Sequence, residues 1–210
     1  IMPGTYTEPE SRAAPTNDPN CASLLEENDE SATDALSYAY HLKCPNDQSL
    51  VNISGRAFGG DPPQPPNEER RGIPATGPCV KCNLQLEGSG PTPNDVVIDA
   101  GRVESGNAGP VGAVKDVAIR LDRADGAVIR NVTVRHAAEH GIYVLETDGY
   151  RLERFKAFFN AEYGVLTFTS DHGLMQKCDA VGSGDSGLYP GGAPETGEQT
   201  VESKRRYNTE

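Results

Sequence analysis

Short runs in which apolar and polar residues alternate recur with a constant period along the middle of the chain. Three of these runs, spaced by 23 residues, are Glu139-His-Gly-Ile-Tyr-Val144, Glu162-Tyr-Gly-Val-Leu-Thr167 and Asp185-Ser-Gly-Leu-Tyr-Pro190. Alternation at period two is typical of half-buried strands, and the runs are too short for helices. A fixed period of this length indicates stacked copies of one small unit. The pattern therefore predicts a stack of short strands over residues 116–190.

A second strand repeats in phase with the first. Its apolar columns are Ile129, Leu152 and Met175; Val132, Phe155 and Cys178; and Val134, Ala157 and Ala180. Ile129 and Val132 are three positions apart, which breaks the alternation and predicts a corner between two sheets. Asn131 suits that corner because asparagine tolerates the left-handed backbone region. Coils stacked about 4.8 Å apart predict an all-β fold, a right-handed parallel β-helix with coils of about 23 residues.

This repeat, clearest over residues 84–190, resembles the parallel β-helix repeat family of pectate-lyase-like enzymes, polygalacturonase-like hydrolases, alginate epimerases and periplasmic copper-associated proteins. The resemblance implies a protein that binds or processes an extracellular polysaccharide, by lyase or hydrolase chemistry. No complete catalytic motif of those enzymes is present, since Thr147-Asp148-Gly149 and Asp171-His172-Gly173 only approach the polygalacturonase pattern. Because one fold supports many functions, a noncatalytic structural, adhesive or metal-handling accessory role stays open.

The chain divides into two sections of one continuous domain. Residues 1–83 are loop-rich and hold four of the five cysteines, whereas residues 84–210 carry the regular coils. Stretches rich in Gly and Pro predict long loops, which often carry specificity on a rigid scaffold; these stretches are 59–78, 101–113 and 191–203. Since the first residues resemble the middle of a strand and the last residues lack a cap, we expect a fragment of a longer chain.

Charge and hydropathy narrow the classes of partner. The net charge is −12, which argues against nucleic acids and anionic membrane surfaces, because both bind basic proteins. No apolar run approaches the roughly 20 residues that a membrane span needs. A hydrophobic content of 36% is low for a globular core but suits the thin core of a β-helix. The resemblance to secreted β-helix proteins implies a secreted or cell-surface protein.

An acidic column precedes the strands that carry the first pattern. It consists of Asp116, Glu139, Glu162 and Asp185. Carboxylates one coil apart repel by about 1 kcal/mol in water, and Ca²⁺ would relieve this repulsion, so Asp116 and Asp185 are candidate calcium ligands. Glu139 and Glu162 are candidate catalytic carboxylates, because glycosidases need two such groups about 5–9.5 Å apart. The alternative is a solvated column of charges.

Arg154 and Lys177 are the candidate cationic groups of a lyase. They follow Asn131 at the predicted corner, where they could neutralise the carboxylate of a uronate. His136, His140 or His172 could then act as acid or base. The alternative is a pair of corner residues that face solvent.

Tyr143 and Tyr189 are the candidate substrate-binding residues. They fall in one outward column with Arg120 and Leu166, and exposed aromatic rings on a flat sheet are suited to stacking against sugars. Aromatic residues are also common in ordinary strands.

The cysteines predict covalent cross-links in the irregular section. Cys21, Cys44, Cys79 and Cys82 lie there, and in a secreted chain they predict two disulfides, with three pairings possible. A less favoured alternative is a zinc site formed by His41, Cys44, Cys79 and Cys82. Cys178 belongs to an apolar column, so we expect a buried free thiol there.

Overall fold

The computed structural model describes residues 1–7, 49–56, 78–101, 115–168 and 170–191. These residues form an all-β fold in which every strand pair is parallel. The first sheet has the order β1 (Gly4–Tyr6), β4 (Val96–Asp99), β7 (Thr133–Arg135), β10 (Lys156–Phe158) and β13 (Asp179–Val181). The second has the order β2 (Ser49–Ser54), β5 (Val117–Asp122), β8 (His140–Leu145), β11 (Val165–Phe168) and β14 (Leu188–Gly191). The third has the order β3 (Gln85–Glu87), β6 (Val128–Arg130), β9 (Arg151–Glu153) and β12 (Leu174–Gln176).

The chain visits the three sheets in a fixed cycle. After β3, β6, β9 and β12 in the third sheet, the next strand always belongs to the first sheet and the one after it to the second. Parallel neighbours within a sheet therefore come from successive rounds of the chain. This arrangement is compatible with a β-helix, and it confirms the predicted all-β class. A short 3-10 turn, Pro93–Asp95, precedes β4.

The predicted strand register is confirmed. Ile119 pairs with Ile142, Ile142 with Val165, and Val165 with Leu188. These partners are 23 residues apart because the apolar columns have to meet in the interior. Ile129 and Leu152 also pair, and both are fully buried. The core is therefore a column of aliphatic side chains stacked one above another.

The side chains of the core column become less buried towards the last strands. Phe155 and Ala157 are buried, whereas Met175, Cys178 and Ala180 are only partly buried against the same core. Cys178 carries a free thiol, as expected, but it is half-buried, and burial raises its pKa. The difference arises because Cys178 precedes β13, the last strand of the first sheet, so fewer side chains pack over it.

Left-handed residues form the corners. Asn131, Arg154 and Lys177 have φ values of 57°, 50° and 53°, so the predicted corner is confirmed in all three coils. The Asn131 amide nitrogen donates hydrogen bonds to the carbonyl oxygens of Gly88 at 2.8 Å and Gly90 at 2.6 Å. These bonds tie the corner to the preceding coil.

A second column of left-handed residues ends the strands of the first sheet. His136, Phe159 and Gly182 directly follow β7, β10 and β13, with φ values of 57°, 54° and 71°. The chain bends there towards the second sheet. Each strand of the first sheet from β7 onwards is therefore flanked by left-handed residues on both sides.

Replacing Asn131 by alanine is expected to lower the free energy of unfolding by about 2–3 kcal/mol, because two carbonyl groups lose their buried donor. The Asn131→Gly variant should lose about 1 kcal/mol less, since glycine adopts the left-handed conformation without a Cβ penalty. Urea unfolding of both variants measures the difference. Arg154→Ala is the matched control at the exposed equivalent corner, and equal losses at residues 131 and 154 would contradict this role of Asn131.

The structure describes part of the cysteine section. Cys79 and Cys82 form a disulfide, whereas Cys21 and Cys44 lie outside the described residues, as does most of the predicted loop-rich section 1–83. In this disulfide Cys79 and Cys82 offer no thiolate to the alternative zinc site, and its other two members, His41 and Cys44, lie outside the described residues. Among the described residues, no helix is long and apolar enough to cross a membrane.

Candidate functional site

The acidic column lies in the turns that lead into the second sheet. The Glu139 N–H donates to the Asp116 carbonyl at 2.9 Å, and the Glu162 N–H donates to the Glu139 carbonyl at 2.9 Å. The Asp185 N–H continues the ladder to the Glu162 carbonyl at 2.8 Å. The four acids therefore stack one per coil, as the sequence predicts.

Protons relieve the repulsion within this column. Glu139 is buried, and burial raises its pKa to about 8, with further contributions from the charges of Asp116 and Glu162 and an opposing one from Arg120. Burial also raises the pKa of Asp116 to about 6, although Lys115 opposes this shift. The pKa of Glu162 is raised by burial and by the charge of Asp185. At neutral pH Glu139 therefore keeps its proton.

His140 lies between two of the carboxyl groups. Its Nε2 is 3.9 Å from Glu139 Oε2, and its Nδ1 is 3.6 Å from Glu162 Oε2. The imidazole ring is almost fully buried and contacts two tyrosines, with ring centroids 5.3 Å from Tyr143 and 5.2 Å from Tyr163. We call Glu139, His140 and Glu162 the acid site.

The outward side of β5 and β8 is buried, which differs from the expectation for Tyr143. Tyr143 faces outward but packs in a second apolar cluster. That cluster consists of Val117, Tyr143, Leu145 and Leu166, with Tyr163 and Phe168 at its margin. Tyr189 is exposed, as predicted, and its ring stacks on Tyr163 with a centroid distance of 5.0 Å and an angle of 11°. The aromatic pair at the surface therefore consists of the half-buried Tyr163 and the exposed Tyr189, and Tyr143 lies beneath the surface.

Arg120 is the largest fully buried side chain among the described residues. Its Nη2 donates to Asp122 Oδ2 at 3.0 Å, and its Cζ lies 5.6 Å from the ring centroid of Tyr143. Arg123 Nε also contacts Asp122, with 2.6 Å to Oδ1. Nε and Nη1 of Arg120 have no hydrogen-bond partner. A guanidinium is always charged and carries five N–H donors, so two of its nitrogens are buried without acceptors.

Arg154 and Lys177 lie at a different corner from the acid site. Arg154 precedes β10 and is exposed, and its Nη2 donates to the Pro91 carbonyl at 3.2 Å. Lys177 is exposed at the equivalent corner before β13. Glu162, in contrast, lies beyond the other end of β10. In the part of the chain that the structure describes, no hydrogen bond or ion pair joins Arg154 or Lys177 to the acids.

The calcium prediction gains no support. Asp116 and Asp185 are three coils apart, about 14 Å at the usual strand spacing, so they cannot share one ion. Among the described residues, no group of three or more His, Cys, Asp or Glu side chains is placed to hold a metal ion.

Sequence reasoning missed the groups that surround the acid site. Arg120 and Asp122 are two residues apart on one strand, so their side chains project to the same face, and this spacing could have indicated an ion pair. The sequence shows no comparable pattern for Lys115, which is buried beside Asp116, or for Tyr163.

No protein-family model, curated protein or solved structure matches the chain. The geometry of the acid site therefore supplies the functional argument.

Proposed function

We propose that the chain is a secreted right-handed parallel β-helix, with coils of about 23 residues, that hydrolyses glycosidic bonds of an extracellular polysaccharide. The observation that carries this proposal is the pairing of a buried, protonated Glu139 with the more exposed Glu162 on the next coil, with His140 between them. Glycosidases use two carboxyl groups whose environments drive their pKa values apart. The Cys79–Cys82 disulfide supports an oxidising, extracellular environment.

Glu139 acts as the general acid. Its raised pKa of about 8 keeps a proton on the carboxyl at neutral pH, ready for transfer to the departing glycosidic oxygen. A positioned acid of this kind contributes about 10²–10⁴-fold to the rate.

Glu162 acts as the carboxylate partner. Its side chain is 45% exposed, so a substrate can reach it. Glu162 follows Glu139 on the next coil, and in the retaining arrangement, which brings the two carboxyl groups to about 5–5.5 Å, Glu162 bonds to the anomeric carbon as the glycosidic C–O bond breaks. Water then displaces Glu162 and returns a proton to Glu139. His140 positions both groups through its contacts with each carboxyl.

Hydrolysis fits the site better than elimination does. A lyase needs a cation beside the carboxylate of the substrate, and the candidates Arg154 and Lys177 lie at another corner. The acidic column would repel a polyanionic chain, so a neutral glycan is favoured. The stacked rings of Tyr163 and Tyr189 offer an aromatic surface of the type that lines many ligand sites.

A panel of neutral and acidic polysaccharides, followed by reducing ends and by the ultraviolet absorbance of unsaturated uronates, tests the reaction. We expect reducing ends without absorbance, and an activity that falls as the pH rises through about 8, where Glu139 loses its proton. The acidic limb should lie above pH 4.5, because the pKa of Glu162 is raised from that value. Absorbance from unsaturated products would establish a lyase. Inactivity on every substrate would leave a noncatalytic binding or structural module.

A further inference from the structure

Two tyrosines and an acid lie together at the surface near the last strand of the second sheet. Tyr163 precedes β11, Asp185 precedes β14, and Tyr189 belongs to β14. Tyr189 is 45% exposed, and Asp185 is exposed as well. We call these three residues the tyrosine–acid patch. Because Tyr163 directly follows Glu162 in the chain, the patch adjoins the acid site.

The rings of the patch form the outer part of an aromatic series. Tyr163 contacts His140, with ring centroids 5.2 Å apart, and stacks on Tyr189, with ring centroids 5.0 Å apart and an angle of 11°. The three rings come from successive coils, and Tyr189 is the outermost of them. The face of an aromatic ring carries partial negative charge and attracts a cation that lies over it. Tyr189 therefore offers an exposed surface that suits an organic cation.

Asp185 places a full negative charge beside these rings. Burial raises the pKa of Tyr163, and the charge of Asp185 and a hydrogen bond between the two side chains raise it further. Three other acids of the fold, Glu87, Asp99 and Glu153, each have an arginine partner. In contrast, no lysine or arginine among the described residues forms an ion pair with Asp185. The patch thus combines an unbalanced carboxylate with an exposed ring.

The spacing between the patch and the acid site suits neighbouring sugars of one chain. Asp185 occupies the position of Glu162 one coil further on, and its N–H donates to the Glu162 carbonyl at 2.8 Å. Coils stack about 4.8 Å apart, and a pyranose ring with its glycosidic linkage has nearly the same length. A glycan that runs along the stack therefore places one sugar at each coil. The sugar beside Asp185 and Tyr189 is then the neighbour of the sugar that Glu162 attacks.

From these observations we infer that the tyrosine–acid patch binds the ammonium group of an amino sugar next to the cleaved bond. The ammonium donates charge-assisted hydrogen bonds to Asp185, while the ring of Tyr189 packs against the cationic sugar. The net charge of −12 attracts such a chain from solution. This inference rests on the proposed hydrolysis and makes its substrate more specific: a glycan without acidic groups in which some sugars carry a free amino group.

Oligosaccharides of glucosamine and of galactosamine, each with free and with acetylated amino groups, test the substrate class. Acetylation removes the positive charge but keeps the glycosidic bond. For at least one of the two sugars, kcat/KM from released reducing ends should be about 10-fold higher with free amino groups. Equal or faster cleavage of the acetylated forms, or cleavage of amine-free glycans only, overturns the inference and leaves the hydrolase proposal intact.

Asp185→Asn tests the patch itself. Asparagine keeps the shape of the carboxylate and an oxygen that accepts the Tyr163 hydroxyl, but it carries no charge. We expect kcat/KM for the free-amine form to fall about 5- to 10-fold, and that for the acetylated form to stay within about twofold. A variant that is folded, as judged by its melting temperature, and keeps the full preference for free amino groups contradicts the inference.

Asp179→Asn is the matched control. Asp179 lies on β13 in the first sheet, its side chain is 65% exposed, and its replacement changes the net charge by the same amount. The preference for free amino groups should therefore persist in this variant. Equal effects of the two substitutions would show that the overall charge and not the patch selects the substrate, which overturns the inference.

Binding decides the case in which no oligosaccharide is hydrolysed. The unaltered protein and both variants are then titrated with the same glucosamine and galactosamine oligosaccharides, and complex formation is followed by NMR. Tighter binding of the free-amine form that Asp185→Asn weakens and Asp179→Asn does not supports the patch, although the proposed hydrolysis has failed. Binding that is equal for free and acetylated forms, equally weakened by both substitutions, or absent overturns it.

Discussion

Replacing Glu139 by glutamine is expected to lower kcat on a polysaccharide by about 10²–10⁴-fold, the usual contribution of a general acid. Glutamine has the shape of the protonated carboxyl but cannot release a proton to the departing oxygen. Aryl glycosides with acidic leaving groups need little protonation, so their cleavage should fall much less. A rate measured on both substrate types distinguishes this role from a structural one.

The same substitution should make the protein more stable at alkaline pH. The ordinary pKa of a glutamic acid is 4.5, and that of Glu139 in the folded chain is about 8. The folded state therefore binds this proton more tightly, which stabilises it fully below pH 4.5. That stabilisation is lost at about 1.4 kcal/mol per pH unit until the pH passes about 8. Because glutamine never ionises, the variant should unfold at a higher urea concentration than the wild type above pH 8.

Two features of the pH profile check this explanation. Asp116, whose pKa rises from 3.8 to about 6, contributes a smaller decline below pH 6, and this decline should remain in the Glu139→Gln variant. Glu153→Gln is the control, because hydrogen bonds from Arg151 and Gln176 lower the pKa of Glu153. It should give no gain in stability at alkaline pH. A Glu139→Gln variant that is less stable than the wild type at pH 9 would contradict the raised pKa.

Replacing Phe155 by alanine is expected to destabilise the stack by about 3–5 kcal/mol, the usual range for a buried aromatic residue. Phe155 is 1% exposed and belongs to the column between Val132 and Cys178. Its removal leaves a cavity that rigid, paired strands on both sides cannot close. Urea unfolding followed by circular dichroism measures the loss.

Phe159→Ala provides the matched comparison. Phe159 is 42% exposed, so its substitution removes less buried area and should lower the stability by only about 1 kcal/mol. If both variants lose the same amount, the column around Phe155 does not determine the stability of the fold.

The apolar columns made much of the fold predictable. Ile119, Ile142 and Val165 had to meet because a strand slipped by one residue would turn its apolar side chains towards solvent. Asn131 indicated the position of the corner, because asparagine is one of the few residues other than glycine that adopt a left-handed backbone easily. Both signals are local, and both recur every 23 residues, which makes them easy to detect.

The burial of the outward face could not be predicted in the same way. The alternation of side chains assigns Arg120 and Tyr143 to the outside of the second sheet, but it does not say whether other parts of the chain cover that face. Burial in turn determines the pKa of Glu139 and the unused donors of Arg120. The acidic column was therefore visible in the sequence, whereas its protonation state depended on long-range packing.

The bends that end the strands of the first sheet share a backbone conformation but not a type of side chain. Histidine, phenylalanine and glycine share the column of His136, Phe159 and Gly182, and their φ values of 57°, 54° and 71° are nearly the same. His136 binds Asp99 at 3.1 Å, while Phe159 is exposed. Three different side chains therefore fit the same backbone bend in this fold. These bends are suitable places to install new recognition groups on an unchanged scaffold.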